Sequence, residues 1–314
     1  METFDEEQRQ ILEQIATGAP LSDVLVNIVR LVEKRSPGMP CSILLLDRAS
    51  DTLRHGAAPN LPSEYLRAID GSKIGATAGS CGAAAYLQRT VIVEDIDSHP
   101  NWVDYKHLAL PHGLRACWST PIFSAQHEPL GTFAMYYRKP RGPSGDDKRN
   151  VDAATHLAAI AIARERTEHA RRDAERRLRE SESLLRIASR VARIGAWTLD
   201  VSQQAVTWSD EAFAIHELPV GAHPSFSEMI AFYAPEGRNP LRSAIDACAR
   251  SGVPFDLELP LITAQQRAIW VRVLGQVEPG AAPGRVRLQG ALQDITERRK
   301  LQAELYQSQK MDAV

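Results

Sequence analysis

Apolar positions recur at helical spacing over Phe4–Thr17 and again over Leu21–Lys34, and this predicts two helices, the second opening near Ser22 or Asp23. The period then changes. CSILLLD (41–47), TLRHGAA (52–58), TVIVED (90–95), ACWSTPIFS (116–124) and PLGTFAMYYR (129–138) are short, apolar or alternating, and broken by RASD, GS and HEP. They read as strands. Two longer stretches between them do not: Leu61–Gln88, containing GSCGAAAY, and Asp97–Gly113, which carries three His, a Trp and a Tyr. A helix is predicted from near Asp146 through VDAATHLAAIAIAR. Helices at both ends of an antiparallel sheet make an α+β domain.

From Arg164 to Arg186 the pattern is different: eight Arg and six acidic residues fall within 23 positions, without Gly or Pro. The less charged positions are Thr167, Ala170, Ala174, Leu178, Ser181, Leu185, Ala188 and Ala192, a heptad seam with one extra four-residue step. A helix this charged has little face to bury alone, so either paired parallel helices or a solvated single helix is expected.

Beyond it, GAWTLDVSQQAVTWSD reads as strand, turn, strand, and SDEAFAIHEL opens a helix at Ser209. PLRSAIDACARSG is a helix closing at Gly252, and three strands follow, PFDLELPLIT, RAIWVRVLGQVE and RVRLQGALQDIT, separated by AQQ and PGAAPG. The chain turns helical again from Asp294, which with Glu297 forms a capping-box pattern, and Leu301 and Leu305 begin a new seam. The fold class expected is therefore α+β, with two domains, each an antiparallel sheet with flanking helices, joined by a long helical coiled-coil linker. The limits expected are 1–165, 166–190 for the linker, 191–296, and 297–314 for the start of an output helix.

Composition narrows the function. The 314 residues are 44% hydrophobic and 24% charged with a net charge of −2, so neither nucleic acid nor an anionic membrane is indicated as a partner. The acidic start METFDEEQRQ is not a secretory signal, the apolar runs are too short to span a bilayer, and the four cysteines form no CxxC. A cytoplasmic location with reduced thiols follows as the expectation.

Candidate chemistry centres on Cys117, which follows His107 and His112 in sequence. Strand alternation points Cys117 and Ser119 to one face and Trp118 to the other. A packed thiol, a pocket wall and a reactive thiol are all open. Cys81, at a loop-to-helix entry, is a second thiol whose pKa such a position lowers. His99, His107, His112 and Cys117 match no zinc spacing, so no metal is expected. Trp102 and Tyr105 suit a lid over a small-molecule pocket, or a loop pinned to its own domain. Trp197, Trp208 and Trp270 are strand aromatics suited to core packing or ligand contact. His216-Glu217-Leu218 looks like a phosphoacceptor start but lacks the continuation, and no nucleotide-binding or hydrolase motif occurs.

GSCGAAAY, VIVEDIDSHPNW, GLRACWSTPIF and LGTFAMYYR resemble a GAF domain. RIGAWTLD, VTWSDEAF, PFDLELPLI, IWVRVLGQ and QDITERRK resemble a PAS domain. The tail LYQSQKMDAV is similar to the lead-in to the phosphoacceptor helix of bacterial sensor histidine kinases. The resemblance implies a sensory input and relay module of a two-component kinase, homodimeric through its helices, with a small-molecule ligand and, for a full-length kinase, a response regulator as partner. It implies no catalytic residue within these 314 residues and no cofactor. A GAF pocket would involve Cys81, Trp102, Tyr105, His107, Cys117, Trp118 and Ser119; a PAS pocket Trp197, Trp208 and Trp270; the relay Leu178, Leu185, Asp294, Thr296, Leu301 and Leu305. Alternatives are the input of a cyclic-di-GMP enzyme, a ligand-free dimerisation scaffold, and a thiol-dependent GAF-type reductase, which GxCG resembles but whose further cysteines are missing between Asp97 and Ala116.

Overall fold

A computed structural model describes residues 4–222, 224–279 and 286–311. The chain divides into two compact units, Met1–Glu175 and Arg176–Val314.

The first unit begins with α1 (Phe4–Thr17) and α2 (Leu21–Arg35), followed by β1 (Cys41–Asp47) and β2 (Thr52–Ala57). Then come α3 (Ser63–Ile69), β3 (Ser72–Lys73), α4 (Cys81–Leu87) and β4 (Val91–Val93). A short α5 (Lys106–Ala109), flanked by single 3-10 turns, precedes β5 (Ala116–Phe123), β6 (Pro129–Tyr137) and α6 (Gly145–Ala192). The sheet order is β3-β2-β1-β6-β5-β4, and every neighbouring pair is antiparallel. Helix α2 opens at Pro20 with no side-chain cap, so neither Ser22 nor Asp23 plays that part.

Both faces of this sheet are covered, and strand alternation sorts the residues between two cores. Phe133 and Met135 of β6 and Trp118 of β5 pack with Ile28 of α2 and Leu157 of α6. Ala134 and Tyr136 of β6 and Cys117 of β5 pack on the other side with Tyr65 of α3, Ile96 and Trp102. All nine residues of β6 are buried, which explains why that segment is almost uniformly apolar instead of alternating.

Helix α6 is anchored at its start by a reciprocal cap. The Ser144 backbone N–H donates to Asp147 (2.9 Å) and the Asp147 N–H donates to Ser144 Oγ (3.1 Å). Buried Asp147 also accepts from Ser36 Oγ and pairs with Arg141, both at 3.1 Å. Asp147→Ala should therefore cost the unit about 2–3 kcal/mol, since it removes the cap and strands a buried hydroxyl. Urea unfolding checks this, with Asp147→Asn expected to fall between the two. Within the same 48-residue helix, Leu178 and Leu185 are 60% and 66% exposed, and Leu184, Ile187 and Val191 are exposed as well.

The second unit comprises β7 (Ile194–Asp200), β8 (Ala205–Trp208), α7 (Asp210–His216), α8 (Phe226–Ala231), α9 (Pro235–Ser251), β9 (Phe255–Ile262), β10 (Ala268–Val277), β11 (Arg287–Asp294) and α10 (Thr296–Met311). Its antiparallel sheet runs β8-β7-β11-β10-β9, with α7, α8 and α9 packed over a core that includes Trp197, Trp208, Leu241, Ile245 and Leu261. Helix α8, with its Ser225–Glu228 capping box, is too short to show a period in sequence, and α9 starts at Pro235, five residues before the expected Pro240. Gly252 closes α9 in the left-handed region (φ 72°). The PGAAPG turn lies mostly outside the described residues.

The capping box expected at α10 is replaced by a different arrangement. Asp294 Oδ1 accepts from the Thr296 N–H at 2.9 Å rather than from Glu297. Thr296 Oγ1 in turn accepts the Trp270 N–H at 2.9 Å, and the Arg299 guanidinium lies 3.7 Å above the Trp270 ring. Asp294 also pairs with Arg193 at 3.6 Å. Leu301 and Leu305 are exposed. Among the described residues no helix is long and apolar enough to cross a membrane.

Candidate functional site

In the first unit, a narrow recess of about 30 Å³, room for a water or two, opens between the sheet and the segment carrying α3 and α4, lined among others by Leu44, Tyr65, Cys81, Trp102, Tyr105 and Tyr136. Register places its wall: Cys117 of β5 pairs with Tyr136 of β6, and both face this side. The loop that holds Trp102 is tied to the wall through Ser80. Trp102 Nε1 donates to Ser80 Oγ at 3.0 Å, and Ser80 Oγ donates to the Cys117 carbonyl at 3.3 Å.

Cys81 is the first residue of α4 and is partly exposed into the recess. Its sulfur lies 3.9 Å from the Tyr136 hydroxyl, which accepts from Tyr65 at 3.5 Å. The neighbouring Cys117 thiol is the largest influence holding the Cys81 pKa down, to about 7. Burial opposes the shift, and the hydroxyls of Ser119, Tyr136 and Thr132 reinforce it. Those of Ser119 and Thr132 are fully buried and make no hydrogen bond. For Cys117 the balance reverses: burial, then the neighbouring Cys81, pushes its pKa well up, so it keeps its proton. One ionisable thiol thus sits beside one neutral thiol.

Of the residues expected there, Cys81, Trp102 and Tyr105 line the recess, while Cys117 and Ser119 are buried in β5 behind it. Two residues expected there fall elsewhere. Trp118 points into the opposite core, as the alternation of β5 requires, and His107 is exposed on α5. Tyr65, Ser80 and Tyr136 complete the wall and were not anticipated; alternation along AMYY puts Tyr136 on the Ala134 side, but only the β5–β6 register brings it to Cys117. His99 spends its Nδ1 on the Asn101 N–H at 3.2 Å, and among the described residues no three His, Cys, Asp or Glu gather as a metal would need.

The second unit has its own small recess of about 20 Å³, lined among others by Trp197, Trp208, His216, Met229 and Tyr233. His216 is 1% exposed; its Nδ1 lies 2.8 Å from the Ala212 carbonyl and its ring stacks on Trp208 at 4.1 Å. Its Nε2 and the Trp197 Nε1 are buried without partners. Trp270, expected among the pocket aromatics, is instead on the outside of β10 under Arg299, where alternation along β10 turns it away from the core.

Residues 18–163 match the GAF domain family. The chain is 37% identical over 172 residues to the methyl sulfide methyltransferase-associated sensor of Methanosarcina acetivorans, a match covering 55% of this chain and 17% of that protein. It is 30% identical over 134 residues to the non-motile and phage-resistance protein of Caulobacter vibrioides, covering 41% and 16%. The chain thus spans about one sixth of the length of these curated relatives. Among solved structures, the GAF domain of the Acinetobacter phosphoenolpyruvate-protein phosphotransferase aligns over 54% of this chain and 99% of its own, at 17% identity and a TM-score of 0.43. With the six-stranded sheet, its covered faces and the recess beside α4 in place, the segment 18–163 is a GAF domain.

Proposed function

We propose that this chain is the sensory input of a longer signalling protein, a two-component histidine kinase, in which the GAF recess takes a small molecule and the helices carry the response onward. The observation that carries this reading is the recess itself: an apolar hollow with a few convergent polar groups, closed on one side by a loop that reaches it through Trp102 and Tyr105. The sensor named among the relatives supports it.

The second unit is read as a PAS domain. Its sheet order β8-β7-β11-β10-β9 and its helices α7–α9 over one face support that reading. The exposed leucines of α6 and α10 support pairing with a second copy of the chain in parallel, which would bury Leu178, Leu185, Leu301 and Leu305. A ligand that favours one arrangement of the GAF domain then shifts the pairing of the helix built into it. The location proposed is cytoplasmic.

Native mass spectrometry of the purified chain tests both parts. A dimer carrying an additional small mass, lost in Trp102→Ala, is the expected result. Monomer alone, or no bound mass and no ligand-dependent rise in melting temperature across a metabolite panel, would sink the reading. A second reading, a thiol-dependent reductase, is favoured by the lowered pKa of Cys81, which shares a core with Cys117. Turnover of free methionine sulfoxide with dithiothreitol would establish it.

A further inference from the structure

Two of the four cysteines of the chain, 36 positions apart in sequence, share one core beside the recess: the Cys81 sulfur lies 3.9 Å from the hydroxyl of Tyr136, the cross-strand partner of Cys117, and Ser80, next to Cys81, donates to the Cys117 carbonyl at 3.3 Å. Cys41 and Cys248 are each fully buried in separate cores, Cys41 with its sulfur 3.6 Å from the Met39 carbonyl. Cys81 alone of the four is partly exposed. The chain therefore holds one cysteine at the recess, one buried in the core beside it, and two that are sequestered in other cores.

We propose that Cys81 and Cys117 form a redox site in which a hydroperoxide oxidises Cys81 and Cys117 resolves it to an intramolecular disulfide. The Cys81 sulfur attacks the peroxide oxygen; an S–O bond forms, the O–O bond breaks, and the leaving alkoxide or hydroxide departs as alcohol or water with a proton. The Cys117 sulfur then attacks the sulfenic sulfur; an S–S bond forms, the S–O bond breaks, and the hydroxide leaves as water with the Cys117 proton. Overall, two thiols and one hydroperoxide give one disulfide, one alcohol or water, and one water, the thiols losing the two electrons that the peroxide gains.

The division of labour follows from the surroundings. The groups facing Cys81 are the Cys117 thiol and Ser119 hydroxyl from β5, the Thr132 and Tyr136 hydroxyls from β6 and, behind Tyr136, the Tyr65 hydroxyl from α3. All are neutral donors, and together they stabilise a thiolate without supplying a cation. With its pKa at about 7, about half of Cys81 is thiolate at pH 7, against about 1% for a thiol at 9. Burial keeps Cys117 protonated, which excludes it from the first step; in the second its proton leaves with the hydroxide as the S–S bond forms. Closing the bond to its length of about 2 Å draws the start of α4 onto β5 and pulls the Cys81 sulfur out of the recess wall. Oxidation and ligand then act on one site, so the signalling consequence rests on the sensory reading above, while the chemistry is read from thiol counts alone.

The experiment treats the full chain with hydrogen peroxide, alkylates it under denaturing conditions, and maps the peptides. Two alkylated thiols instead of four, a peptide pair joining Cys81 to Cys117, and recovery of all four with dithiothreitol are expected. Four alkylated thiols, or a bond joining any other pair, would overturn the proposal. In Cys117→Ser, Cys81 should stop as the sulfenic acid and take one dimedone per chain. In Cys81→Ser, oxidation of Cys117 should be more than about 50-fold slower, since its thiolate fraction lies below the roughly 1% of an ordinary thiol. An unchanged rate in that variant would also overturn it. The wild-type peptide map needs no variant to fold, and a chain that binds no ligand still gives a decisive thiol count.

Discussion

Gly131→Ala should unfold the first unit and leave the second standing, and Gly290→Ala should do the reverse. Gly131 lies on β6 where the strand is paired on both sides, opposite Leu45 of β1 and Ile122 of β5. A methyl group there would sit 2.1 Å from the Leu44 carbonyl oxygen and 3.2 Å from the Leu45 Cα. Those are backbone atoms of a fully hydrogen-bonded strand and cannot step aside without breaking the ladder. Gly290 on β11 is the equivalent case, with a Cβ 1.9 Å from the Leu274 carbonyl oxygen and 2.5 Å from the Trp197 ring. Each substitution should cost about 4 kcal/mol or more, at the extreme of what single changes do, because overpacking and a broken ladder combine. Guanidinium unfolding followed by hydrogen exchange reads the two units separately. Unchanged protection of β1 and β6 in Gly131→Ala would show that the strands can separate at no cost, against this account.

The second large effect is acid loss of stability in the second unit. Burial lowers the His216 pKa from 6.5 to about 4, partly offset by the Ala212 carbonyl. The folded value is the depressed one, so between these two pH values the unfolded chain binds a proton that the folded chain refuses. Stability is therefore complete above about pH 6.5, falls as the pH drops toward 4, and loses nothing further to this group below that. At about 1.4 kcal/mol per unit the total is about 3 kcal/mol. Around the ring stand Trp208, Phe232 and the Ala212 carbonyl, while the adjacent Glu217 spends its carboxylate on Thr263 and Arg267. Urea midpoints of the second unit at pH 7, 5.5 and 4 should fall in wild type, and His216→Phe should flatten the dependence. Parallel losses in both proteins would assign the acid sensitivity to other groups.

Most strands were legible in sequence because each core-facing segment carries its own signal. CSILLLD, ACWSTPIF and PLGTFAMYY need no neighbour to be recognised as buried sheet. The elements that escaped are those whose reason lies elsewhere in the fold. Helix α8 has six residues and one cap, and β3 has two residues held only by pairing with β2. The site shows the same division. Alternation was enough to place Cys117 and Ser119 on one side of β5, yet it could not say that Cys81 meets them, because that contact is made by the packing of α4 on the sheet. Trp270 shows the converse: aromatic strand residues look alike in sequence, and only the guanidinium of Arg299 marks this one as belonging to the outside.

The sheet order of the first unit also sets when that unit can fold during synthesis. Strand β1 ends at Asp47, but the strand that completes its inner side, β6, is finished only at Tyr137, and the α6 residues that close the core come later still. A ribosome must therefore deliver some 90 further residues before the apolar edge of CSILLLD is covered. Until then the nascent chain shows an unpaired strand edge, apolar up to Asp47, of the kind that recruits other chains. Fragments ending before residue 129 should thus be insoluble although they contain five helices and most of the strands, and the minimal soluble piece must reach into α6.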